Sequence, residues 1–180
     1  MFRKCLFASV VTLCSIHAEA ATSMYSDLYG KTCKVIERAK DGAASVRRCT
    51  GVGGYHLLVR EANDQTSVDI VTPARAVYPL EYWEVVMPGL GHVGRKAEWR
   101  VEKRGGRLVA TGLLVRLDAS KSADHGPRLA AGTILTAARI ASDGACVVYQ
   151  GDAMPRSADA SARAAAADPR SKCLGVYGSN

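Results

Sequence analysis

The chain has 180 residues and six cysteines, and its 24 Lys and Arg against 17 Asp and Glu give a formal net charge of +7. That length suits one domain with a substantial core. No stretch approaches the roughly 20 apolar residues of a membrane-spanning helix, which excludes a helical membrane protein, and the basic excess favours anionic partners.

The first twenty residues read as a secretory leader. Arg3 and Lys4 form a positive start, and Leu6 to Ile16 are apolar. Ala18, Glu19 and Ala20 then supply the small-x-small pattern of signal-peptidase cleavage. Leu13 before Cys14 is too large for lipidation, so cleavage is expected before Ala21, leaving a periplasmic or secreted domain of residues 21–180. The leader removes two basic residues, one acidic residue and two cysteines, so the mature charge is 22 − 16 = +6. Four cysteines remain: Cys33, Cys49, Cys146 and Cys173. An even count in an exported chain reads as two disulfides. Of the three pairings, Cys33–Cys49 and Cys146–Cys173 are favoured, because each joins neighbours at one end of the chain.

Alternation of period two then predicts a succession of strands. The first four fall at 34–37, 45–49, 55–62 and 66–72. In the last, Val68 and Ile70 face one way, Ser67 and Asp69 the other. Between the second and third lies "TGVGG", a glycine cluster that invites comparison with a phosphate loop. Such a loop must open a helix, so that backbone amides and the helix dipole meet the anion. Here Tyr55, Leu57 and Val59 alternate with His56, Leu58 and Arg60, which is a strand, and no Lys-Ser/Thr follows. The glycines therefore form a turn, and the whole reads as a disulfide-anchored hairpin.

Residues 74–94 form the longest segment without a clear period. Tyr78, Tyr82 and Trp83 make it aromatic, and it ends in a glycine-rich run containing His92. It reads either as a cap over the core or as a ligand loop presenting Tyr82, Trp83 and His92. A hairpin follows at 97–102 and 108–117, turning on Gly105 and Gly106. Ala97, Trp99 and Val101 share one face of its first strand; Val109, Thr111, Leu113, Val115 and Leu117 share one face of its second. Further strands are expected at 133–140 and 145–150. A helix is expected last, with Ser157 as N-cap, Asp159 in the first turn, a run of alanines and Pro169 beyond its end. Alanine favours helix but buries little area, so weak docking is expected. The fold class is mainly β: one antiparallel sandwich or barrel with a short C-terminal helix and two disulfides.

Catalytic motifs fail one by one. His56, His92 and His125 stand apart, without helical i, i+4 spacing or a Cys-x-x-Cys, so no metal site is predicted. Oxidised cysteines supply no thiolate. No Gly-x-Ser-x-Gly elbow occurs, and Ser122, Asp124 and His125 read as a solvated turn, not a triad. Glu81 and Glu84 offer the residue types of a glycan hydrolase, but their spacing fixes no geometry. No cofactor and no catalytic residue are assigned. Arg95, Lys96, Arg100, Lys103, Arg104 and Arg107 surround Trp99 in a way that resembles a nucleic-acid surface. Trp99, however, lies in the apolar phase, and export removes the protein from most nucleic acid, so no nucleic-acid partner is predicted. Arg60, Arg100, Arg116 and Arg139 all fall on the polar phase of their strands. On neighbouring strands they would form one anion-binding stripe.

Several pieces together resemble a family of small, uncharacterised exported proteins of Gram-negative bacteria, chiefly alphaproteobacteria. They are "CKVIER", "RRCTGVGGYHLLVRE", "TSVDI", "GRKAEWR", "ATGLLVR", "DGACVVYQGDA" and "ADASARAAAADP". The resemblance implies a single exported domain with structural cysteines and carries no activity with it. A looser, fold-level likeness is to periplasmic lysozyme inhibitors, from which this chain departs by its basic charge, which repels a cationic lysozyme. The function expected is non-enzymatic binding of an anionic envelope glycan or an acidic protein, with a cell-wall or glycan hydrolase and a lysozyme-inhibitor-like protein as alternatives.

Overall fold

The computed structural model describes residues 21–86, 91–119 and 132–175. The expected leader and the Ser122–His125 turn lie outside the described residues. Ten strands and two helices follow in order: β1 Thr22–Asp27, β2 Cys33–Arg38, β3 Ala44–Thr50, β4 His56–Ala62, β5 Gln65–Val71, β6 Val77–Pro79, α1 Tyr82–Val85, β7 Gly91–Arg104, β8 Arg107–Ala119, β9 Gly132–Ala141, β10 Gly144–Asp152 and α2 Ala158–Ala167.

The strands form two antiparallel leaves. One runs β2-β3-β4-β5-β6; the other runs β10-β9-β8-β7-β1. A single parallel bridge, Gln65 to Gly91, joins them into one mixed ten-stranded sheet. The leaves face each other across a shared core. Leu57, Val59, Val68 and Ile70 from the first pack in the same cluster as Trp99, Leu113, Val115, Leu117 and Ala138 from the second. Tyr55 tilts against Trp99 with ring centroids 5.8 Å apart. This is the expected mainly-β class, arranged as one mixed ten-stranded sheet.

The hairpins turn where the sequence supplies residues that accept positive φ. Asn63 and Asp64, at φ 49° and 60°, join β4 to β5, and Gly105 and Gly106 join β7 to β8. Cys33 and Cys49 are opposite partners in the β2–β3 ladder and are disulfide-bonded. Cys146 on β10 is bonded to Cys173, beyond α2. Two disulfides fit a compartment outside the reducing cytoplasm, and no helix among the described residues is long and apolar enough to cross a membrane.

Two local irregularities differ from simple alternation. Opposite Arg100 and Val101 the β7–β8 register shifts, because Gly112 faces Arg100 while Ala110 faces Val101. Alternation therefore holds for Leu113, Val115 and Leu117, but Ala110 takes the core position and Val109 and Thr111 stay half-exposed. On β5 both faces are buried: Ser67 and Asp69 are as sequestered as Val68 and Ile70. The start of α1 crosses over this strand, and the Tyr82 backbone N–H donates to Ser67 Oγ at 2.9 Å.

The outer face of β8, β9 and β10 is covered by α2. Ala158, Ala162 and Ala166 form one stripe at spacing four and are buried against Leu114, Leu135 and Ala137. Alanine's small size permits a close approach: a Cβ placed on Gly112 would come within 3.0 Å of the Ala166 Cβ. Two ion pairs anchor the helix, Arg163 to Glu98 at 2.7 Å and Arg116 to Asp159 at 2.6 Å. The helix thus docks by close contact and charge, where alanine content alone predicts weak docking.

Candidate functional site

The polar phase assigned to Arg60, Arg100, Arg116 and Arg139 places them on outer faces, but not in one stripe. Arg60 lies on the other leaf from the remaining three and pairs with buried Asp69 through Nε. Arg116 is occupied by Asp159 of α2. Arg100 donates to Ser23 Oγ and to the Ala21 carbonyl, and its guanidinium lies 3.8 Å from Glu98. Arg139 differs from all of these. Among the described residues it has no carboxylate partner, and its Nε is buried without a hydrogen bond.

The ladder brings two of the four together. Arg100 on β7 faces Gly112 on β8, which faces Arg139 on β9, which faces Cys146 on β10. Arg100 and Arg139 therefore flank a glycine on one rung, over which the Ala166 methyl packs. The rung emerges beside the C-terminal end of α2, where a groove of about 420 Å³ opens. Arg100, Arg104 and Arg139 line it together with Glu102, and Ala166, Ala167 and Pro169 form one wall. The register shift matters here, because it turns Thr111 and Val109 into the groove's floor.

Three arginines less one glutamate leave a lining charge of +2. Arg104 is engaged by Glu102, at 2.8 Å through Nη2. The C-terminal end of a helix contributes roughly half a negative charge, which draws arginines toward it but does not cancel them. Among the described residues Arg139 is therefore the groove cation without a carboxylate partner. Leaving a buried guanidinium N–H unpaired costs on the order of 1–3 kcal/mol, so its position asks for an acceptor.

The aromatic loop is divided by the structure. Tyr82 is a core residue, fully buried, and this overturns its reading as a ligand-loop side chain: the α1 turn swings it inward across the core toward β9. Its phenol makes no hydrogen bond, and burial raises its pKa against the pull of the nearby Thr136 hydroxyl, which itself donates to the Val115 carbonyl. Trp83 is half-buried and lines a shallow depression with Arg60 and Val46. His92 is exposed and borders a separate hollow with Thr66 and Glu61. Tyr82, Trp83 and His92 thus do not converge. Glu81 and Glu84 are both exposed. His56 sits on the outer face, where partial burial and then the charge of Arg48 lower its pKa, against a hydrogen bond that its ring donates to the Cys49 carbonyl. Among the described residues no group of three His, Cys, Asp or Glu is placed to hold a metal ion.

Sequence reasoning missed Arg104, Glu102 and Ala21 as groove residues. Period-two alternation does place Arg100, Glu102 and Arg104 on one face of β7, and that signal was available. Nothing local tied Ala21 to them.

No family model, no curated protein and no solved structure matches this chain.

Proposed function

We propose that the protein is a non-enzymatic binding protein of the periplasm or extracellular space that takes an anionic group of an envelope glycan in the groove at the end of α2. The observation that carries this reading is Arg139, a partly buried arginine that has, among the described residues, an unpaired Nε and no carboxylate partner, beside Arg100 and Arg104. A phosphate, sulfate or carboxylate satisfies such a guanidinium with charge-assisted hydrogen bonds. The groove volume of about 420 Å³ falls at the small end of ligand sites and suits one charged sugar. Exposed Glu81 and Glu84 give the hydrolase alternative no support, and the basic charge gives the lysozyme-inhibitor alternative none.

Retention on heparin and on lipopolysaccharide resin tests the reading, using Arg139→Met beside an Arg75→Ala control at an exposed turn. Arg139→Met is expected to elute at lower salt than wild type on at least one resin, with Arg75→Ala near wild type. Its folding stability is expected to be equal or higher, because an unpaired buried N–H is removed. Unchanged elution on both resins refutes the reading. Displacement by polyglutamate but by neither glycan would assign the groove to an acidic protein instead.

A further inference from the structure

We infer that removal of the leader completes the anion groove, because cleavage before Ala21 releases an α-ammonium group at its edge. This rests on the anion-binding reading of the groove. Ala21 is itself one of the residues lining it. Its position is held firmly: β1 pairs with β7 from the first residue, Thr22 opposite Val101 and Ser23 opposite Arg100. Arg100 then reaches back, with Nη1 donating to Ser23 Oγ and Nη2 to the Ala21 carbonyl. One groove arginine therefore fixes the residue at which the leader is expected to end.

The chemistry follows from the bond broken. In the precursor, the Ala21 nitrogen is an amide, a neutral group with a single donor. Hydrolysis by a signal peptidase adds the hydroxyl of water to the Ala20 carbonyl and a proton to the Ala21 nitrogen. The products at neutral pH are a carboxylate on the departing leader and an ammonium with three donors on the domain. The lining charge rises from +2 to +3.

The new group also titrates where arginine does not. An α-amine has a pKa of about 8, whereas arginine stays charged throughout. Arg100 and Arg104 from β7 and Arg139 from β9 favour its neutral form, and Glu102 favours the charged form. Tyr55, the other titratable group in the lining, has its pKa raised by burial and stays neutral. The end of α2 supplies only Ala166, Ala167 and Pro169. A bound anion favours the ammonium, so binding takes up protons and weakens as pH rises through about 8.

Calorimetric titration with a heparin hexasaccharide decides the matter, using three proteins with both disulfides formed. They are the domain beginning at Ala21, the same domain preceded by Gly-Ser, and the Ala21 form carrying Arg139→Met. The Gly-Ser extension restores an amide at Ala21 and moves the amine away. The Ala21 form is expected to bind about fivefold more tightly than the extended form at pH 6.5, the effect of one partly exposed charge contact. The difference is expected to vanish at pH 9.5. Equal affinities at pH 6.5, with Arg139→Met still weakened, overturn the maturation inference and leave the groove reading standing. Wild-type affinity in Arg139→Met, or no binding by any form, overturns both. An exported protein whose first residue is not Ala21 also overturns the inference.

Discussion

Replacing Glu98 by glutamine keeps the side chain's shape and removes its charge, at the point where three parts of the fold meet. Glu98 belongs to β7, is almost fully buried, and accepts from Ser23 of β1 at 2.6 Å. Arg163 of α2 donates to it twice, Nε at 2.7 Å and Nη2 at 2.9 Å, and Arg100 stands 3.8 Å away. Breaking a buried pair from one side costs about 3–5 kcal/mol. Arg163 is 36% exposed and can rehydrate, so about 2–3 kcal/mol is expected for Glu98→Gln. For a domain of this size that lowers Tm by about 4–12 °C. Burial alone would raise the carboxyl's pKa, but hydrogen bonds from Arg163 and Ser23, and the charges of Arg163 and Arg100, outweigh it and hold it below the usual glutamate value. A depressed folded-state pKa means the stabilisation is complete well above the unfolded value of about 4.3 and is lost as pH falls below it. Urea denaturation of both proteins from pH 7 to pH 3 should show a gap that narrows below about pH 4. A gap under about 0.5 kcal/mol at pH 7, or one that does not change with pH, would refute this account of the network.

Three further outcomes follow from the packing. Tyr82→Phe removes a buried hydroxyl that makes no hydrogen bond, and urea unfolding should find it neutral or stabilised by up to about 1 kcal/mol. Gly112→Val forces atoms against the Ala166 Cβ and the Ala138 carbonyl, which already lie 3.0 and 3.3 Å from where a Cβ would sit. It should lose about 1–3 kcal/mol and expose α2 to limited proteolysis, whereas unchanged protease resistance would contradict the close docking. Non-reducing peptide mapping should yield Cys33–Cys49 and Cys146–Cys173 fragments, and the double variant Cys33→Ala/Cys49→Ala should unfold about 3 kcal/mol more easily.

The strands that were legible in the sequence are those whose alternation reflects one buried face. The pair β7 and β8 is the clearest case, since Trp99 and Leu113 point inward as their phase requires. β1 left no such trace: Met24 and Tyr25 are both exposed, so no apolar face marks it, and its place comes from β7 across more than seventy residues. β5 shows the opposite failure. Its alternation is real, yet its polar phase is buried too, because α1 returns over it. The arginines illustrate the limit at the site. Their phase was readable, but their partners were not: Arg60 finds Asp69 on the adjacent strand, while Arg116 finds Asp159 forty-three residues away. Only after these pairs are drawn does Arg139 stand apart.

The disulfides occupy the two ends of the strand order, Cys33 on β2 and Cys146 on β10. A sheet opens from its margins, where a strand has a ladder on one side only, and local opening there limits amide protection and resistance to proteases. Tying β2 to β3, and β10 to the segment after α2, ties these two marginal strands to a second point on the chain. Hydrogen exchange in β2 and β10 should then approach that of the central strands, and selective reduction of either bond should release protection from its own margin inward.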